Sequence, residues 1–143
     1  MKMAIAIIFI WAGFILSISF FESWVKFRAA GVSVPVALSI GKLIFTVLNR
    51  IEWVFAVFIL VSLILSKTQL TAMVSYMMVS VVIILLLQTF WMLPELNTRV
   101  ANRINGIKLA PSYLHHYFVV GEIVKLILLL IVGAKLLNLS FIK

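Results

Sequence analysis

Four stretches of this chain are each apolar for about as long as a bilayer core is thick, which narrows the fold before any motif is read. A helix needs about 20 predominantly apolar residues to cross roughly 30 Å of hydrocarbon. The stretches fall at about 3–29, 35–65, 71–93 and 113–137. They raise the hydrophobic fraction to 65% and leave 11% charged, against about half and a quarter in soluble domains. A soluble fold of 143 residues cannot hide that much apolar surface. The expectation is an all-α membrane protein, an antiparallel four-helix bundle forming one domain over 1–143, since short connections favour up-down packing.

The boundaries follow from local chemistry. Met3 to Phe21 is apolar behind Lys2. A signal peptide is the rival reading, because Ser17-Ile18-Ser19 offers a small-x-small site. The run continues into Glu22, Trp24, Lys26 and Arg28, the aromatic and cationic pattern of a membrane interface, so a first helix is expected to about Ala29. Gly31-Val32-Ser33 breaks the chain and Pro35 suits a first helical turn. A helix from there to Leu65, closed by Ser66-Lys67, spans roughly 47 Å, so its first turns, with Lys42, must project, tilt or kink. Glu52 should then lie near one edge of the apolar slab. After a turn at Lys67 to Leu70, a third helix runs from Thr71 to Leu93. Pro94 is expected to start a separate polar surface helix at about 95–104, stopped by Asn105-Gly106. Pro111-Ser112 opens the fourth helix, from Tyr113 to Leu137.

Against this background the charges are informative. Only four acidic residues occur, Glu22, Glu52, Glu95 and Glu122, one for each expected helix or its end. Arg50 and Glu52 interrupt an otherwise apolar run. Charge at bilayer depth is costly and normally paired towards the protein interior. Helical spacing puts Ser19 and Lys26 on the face of Glu22, and Gly41, Phe45 and Asn49 on that of Glu52. It joins Gln88 to Glu95 through Trp91 or Met92, and His115 to Glu122 and Lys125. The expected polar cluster is therefore Glu22, Asn49, Arg50, Glu52, Gln88, Glu95, Asn97, Arg99, His115, Glu122 and Lys125, all towards one side of the membrane. Pinning of helix ends by ion pairs is the plain reading for Glu22, Lys26, Arg28, Glu95 and Arg99. Structural pairing and function weigh equally for Glu52 and Glu122, and Arg50 has snorkelling as an alternative.

Several chemistries are set aside. No cysteine is present, which removes disulfides and thiolate sites. The net charge of +8 comes from cations scattered singly at the ends of apolar runs, which is membrane flanking and not a nucleic-acid surface. A carboxylate-bridged di-iron bundle needs Glu-x-x-His on two helices, and there is none. Haem ligation lacks a second, facing histidine. No phosphate loop, catalytic triad or metalloprotease motif occurs, so no metal or cofactor is expected, and a membrane enzyme or cofactor protein ranks last among the functional readings.

Trp11, the stretch from Phe20 to Arg28, Leu93-Pro94-Glu95-Leu96-Asn97-Thr98-Arg99, and Ser112 to His115 make up a pattern of short motifs over most of the chain. On these residues it resembles the transmembrane-protein-205-like group of small four-helix membrane proteins. His115-His116 and Asn49-Arg50-Ile51-Glu52 stand outside the group's pattern. The resemblance implies an integral membrane protein, linked in some members to metal or drug resistance, and supplies no catalytic residues.

Cations favour the loops between helices 1–2 and 3–4: Lys26, Arg28, Lys42, Arg50, Arg99, Arg103 and Lys108, against Lys2, Lys67, Lys135 and Lys143. This places those loops in the cytoplasm and both termini outside a cell membrane. The first functional expectation is an accessory or interaction subunit of a larger membrane complex, its basic cytoplasmic face and aromatics meeting the partner. The alternative is a small homo-oligomeric transporter or channel in which Glu52 and Glu122 bind a cation or proton.

Overall fold

The structure, a computed structural model, describes residues 1–26, 28–65 and 70–141, with Ser23 by its backbone alone. The chain is an all-helical, four-helix membrane bundle. Its helices, each long and apolar enough to cross a membrane, are α1 (Lys2–Lys26), α2 (Val34–Leu65), α3 (Ala72–Ile104) and α4 (Leu114–Phe141). Neighbours pack in sequence order around a ring, with α4 closing onto α1. The close of α2 expected at Ser66-Lys67, and the expected turn up to Gln69, lie outside the described residues.

Three boundaries differ from expectation. The first helix ends at Lys26, with turns at Arg28 and Ala30, so Ala29 is not helical. The fourth continues to Phe141, four residues beyond Leu137. The third is the larger correction. Pro94 starts no separate surface helix, and residues 93–104 continue α3 as one rod. Proline lacks the N–H that an α-turn uses and its ring crowds the preceding turn. Here the turn before it is wide: Gln88–Met92 is π-helical, and Leu93 N–H bonds back to Gln88 O. A π-turn spans one residue more than an α-turn, which gives the proline room without a break. Thr71 caps the start of α3, its Oγ1 accepting from Val74 N–H at 3.4 Å.

The apolar core fills the half of the bundle nearer the N-terminus. Ile8, Trp11 and Ile15 of α1 meet Ile59 of α2, Val81 and Leu85 of α3, and Leu129, Val132 and Leu136 of α4. The outward faces carry large apolar side chains such as Phe58, Ile64, Phe90 and Ile127. Lipid is the solvent that suits them. α2 and α3 meet mainly through residues 93–104, so the continuation past Pro94 ties these two helices together.

Helices in lipid gain no hydrophobic drive from meeting one another and rely on small residues for close packing. Gly133 is such a residue. A Cβ there would sit 2.8 Å from Phe9 Cζ and 3.2 Å from Ile8 Cγ2. Gly133→Leu should therefore separate α1 from α4 and cost about 1–3 kcal/mol, lowering the midpoint of thermal unfolding followed by circular dichroism in detergent. Gly13→Ala, where a Cβ meets nothing within 4 Å, should leave it nearly unchanged. Equal effects would refute the close-packing account.

Candidate functional site

The polar site begins on α4. Leu114, Phe118, Glu122, Lys125, Leu129, Val132 and Leu136 form its buried stripe, stepping by three or four residues as one helix face must. Glu122 and Lys125 are thus carried inward with the leucines. The matching stripe on α2 runs through Ala37, Gly41, Leu48, Asn49, Glu52, Ala56 and Ile59. The facing stripes bring Lys125 between two carboxylates: Nζ lies 2.5 Å from Glu52 Oε1 and 2.8 Å from Glu122 Oε1. These three side chains are at most 1% exposed.

The other two helices supply neutral donors. From α1, Trp11 Nε1–H donates to Glu52 Oε1 (2.9 Å) and Ser19 Oγ–H to Glu122 Oε2 (2.8 Å). From α3, the Gln88 amide donates to Glu122 Oε1 (2.8 Å) and Phe118 O (3.4 Å). Gln88 reaches that far because Gly121 opposes it, where a Cβ would lie 3.1 Å from Gln88 Nε2. All four helices therefore end in one cluster. Both π-helical stretches, Ile15–Glu22 and Gln88–Met92, contribute to it, through Ser19 and Gln88. Such wide turns recur at functional sites.

A second group lies between α2 and α3. Trp53 Nε1–H donates to Thr89 Oγ1 (2.9 Å), which is 3.1 Å from Asn49 Oδ1 and 2.7 Å from Leu85 O. A hydroxyl has one proton, and the shorter approach gives it to Leu85 O. The Asn49 contact is then best made with the amide turned over, Nδ2–H donating to Thr89, since amide orientation is assigned from the network. Gln88 has no such freedom. Turning its amide would place oxygen on Glu122, so its Oε1, fully buried and without a hydrogen-bond partner, stays an unused acceptor.

Of the eleven expected cluster residues, Glu52, Gln88, Glu122 and Lys125 meet, and Asn49 belongs to the separate Thr89 group between α2 and α3. The others do not. Arg50 is exposed on α2 and takes no part in the cluster. Glu22 pairs with Lys26 at 3.2 Å and Glu95 with Arg99 at 2.9 Å, each within one helix. Asn97 reaches Thr46 Oγ1 at 3.4 Å in a separate contact between α2 and α3. His115 is exposed because Leu114, its neighbour, holds the inward position. The expected Gln88–Glu95 face fails for the reason Pro94 is tolerated: across the π-turn the next buried residue after Gln88 is Leu93, five positions on. Glu52 lies about 20 Å along the helix from Leu65 and about 27 Å from Val34, inside α2.

Sequence reasoning missed Trp11 and Thr89 and gave Ser19 to Glu22. Trp11 is spaced with Ile8 and Ile15, and a tryptophan N–H on a buried mid-membrane stripe needs an acceptor. That signal was available.

No family model, no curated protein and no solved structure matches this chain.

Lys125 holds the only positive charge in the triad. Lys125→Met should strand two buried carboxylates and destabilise the bundle by about 3–5 kcal/mol. Replacing all three charges together, Glu52→Gln, Glu122→Gln and Lys125→Met, should recover most of that loss. Denaturation in mixed micelles measures both, and a triple variant no better than the single one would show that the charges do not act as a unit.

Proposed function

We propose that this multi-pass membrane protein is an accessory or interaction subunit of a larger membrane complex. The observation carrying the reading is that both carboxylates of the deep cluster reach Lys125 within the one chain at 0–1% exposure, while large apolar residues face outward on all four helices. A bundle complete inside and apolar outside offers lipid and other membrane helices a surface to pack against. The likeness to the transmembrane-protein-205-like group belongs to the same proposal. Of the residues that carry it, Trp11 holds Glu52, and Glu95 and Arg99 pair.

The orientation is part of the proposal too: loops 1–2 and 3–4 in the cytoplasm, termini outside. The chain lacks cysteine, so single cysteines report cleanly. Lys108→Cys should react with an impermeant maleimide only after the cytoplasmic side is opened, and Lys2→Cys from outside. The reverse pattern overturns the orientation.

A second reading, a proton or cation transporter, is favoured by the charge count. Two carboxylates face one ammonium, so the triad carries a surplus negative charge that one proton or monovalent cation would neutralise. Two experiments separate the readings. Purification in mild detergent should yield the protein with a second membrane protein at fixed stoichiometry if it is an accessory subunit. Proteoliposomes holding this protein alone should show no proton or cation flux above empty vesicles. Flux abolished by Glu122→Gln, with the melting temperature unchanged, would instead establish transport. A strongly lowered melting temperature in that variant marks Glu122 as a structural partner of Lys125.

A further inference from the structure

A second polar feature lies away from the ion triad. At the end of the bundle formed by Lys26, the first turns of α2 and the last turns of α3, a groove of about 960 Å³ opens to the outside. Its floor is apolar, with Leu38, Phe45, Leu96 and Val100 among the lining residues. Phe45 stands edge-on to Phe118, ring centres 5.5 Å apart at 71°. Phe118 is one turn from Glu122 on α4, so this aromatic pair lies between groove and triad.

The far wall is fixed. Gly106, at φ 76°, turns the chain after α3; a side chain is disfavoured there. Ile107 N–H then bonds to Asn102 O at 3.0 Å. Arg99 Nη1 donates to Ala110 O at 3.3 Å, holding the 105–113 connection against α3. The backbone itself shapes this side of the groove.

Its charge is one-sided. Lys26 and Arg99 line the groove and are paired with Glu22 and Glu95. Lys42, Arg103 and Lys108 line it from both walls. Among the described residues, no carboxylate lies within ion-pair distance of these three. Three unmatched cations over an apolar floor, at the ends of membrane helices, are placed where lipid headgroups lie. Basic pockets between membrane helices are suited to anionic headgroups.

We propose that the groove binds an anionic phospholipid, its headgroup phosphate held among Lys42, Arg103 and Lys108 and an acyl chain following Leu38 and Phe45. This goes beyond the subunit reading and does not depend on it, because the bundle alone, with no protein partner, should show the binding.

Native mass spectrometry of the detergent-solubilised protein tests it, with dioleoylphosphatidylglycerol and dioleoylphosphatidylcholine as probes. The anionic lipid should be retained about 10-fold more strongly. Lys42→Ala with Arg103→Ala should remove that preference, whereas Lys2→Ala, at the opposite end, should keep it. The charge-conserving pair Lys42→Arg and Arg103→Lys should also keep it. If the double alanine variant does not fold, Lys108→Ala in the connection carries the test, with a loss of about 3-fold. Equal retention of the two lipids overturns the proposal, as does an equal loss in Lys2→Ala. Displacement by millimolar inorganic phosphate would reassign the groove to a free anion, and displacement by polyglutamate to an acidic protein segment. Either result overturns the lipid assignment.

Discussion

The fold depends on one ammonium shared by two carboxylates. In lipid there is little hydrophobic reason for one helix to prefer another, since the tails are as apolar as the helices. Apolar packing therefore leaves rotation and vertical offset between helices loosely fixed. Lys125 removes that freedom. To lie within hydrogen-bonding distance of Glu52 and Glu122 together, α2 and α4 must meet at one height and one rotation. Trp11 and Ser19 then set α1, and Gln88 sets α3. A slip of one residue in any helix would leave a charge or donor facing hydrocarbon. Such slips are costly because unpaired charge at this depth is costly. The arrangement specifies more than it stabilises: ion pairs lose much of their attraction to desolvation, yet only one register satisfies them all.

The two ends of the bundle divide the remaining work. The half towards the N-terminus is a dry interdigitation of Ile, Val and Leu with small residues where helices approach closely. The other half carries the polar ties, the aromatic pair Phe45 and Phe118, and the unmatched cations. Polarity is thus graded along the bundle axis. Both proposals use that gradient, one through the apolar flanks and one through the cationic end.

Much of this was legible in the sequence. Length and apolarity fixed the number of helices, because only helices satisfy their own backbone in lipid without closing a barrel. The demand that deep charges be paired singled out Glu52, Glu122 and Lys125, and helical spacing placed Asn49 on the stripe of Glu52, while Gln88 entered the cluster on the face of Glu95. What misled was the assumption of one constant period. Counting by 3.6 carried the inward face of α3 to Glu95, whereas the π-turn carried it to Leu93. The same uniform counting made Pro94 a helix start. His115 failed for a simpler reason: a stripe drawn through polar residues competes with one drawn through leucines, and on α4 the leucines hold the inward positions. Trp11 was passed over because an aromatic in an aromatic-rich helix looks like packing until its N–H is counted.

The π-helical stretches have a consequence for how this chain could change length. Each is in effect an α-helix with residues to spare, and the surplus sits beside the ion triad. Removing one residue from Gln88–Met92 would let that turn relax to α geometry, and Leu93, now five positions after Gln88, would fall four after it and keep its inward place. Asn97, Arg99 and Arg103 would keep their walls, and what would be lost is the room that the wide turn gives Pro94. A single-codon deletion there would be absorbed locally, whereas one in the regular α-helical turns before it would rotate everything beyond by about 100°.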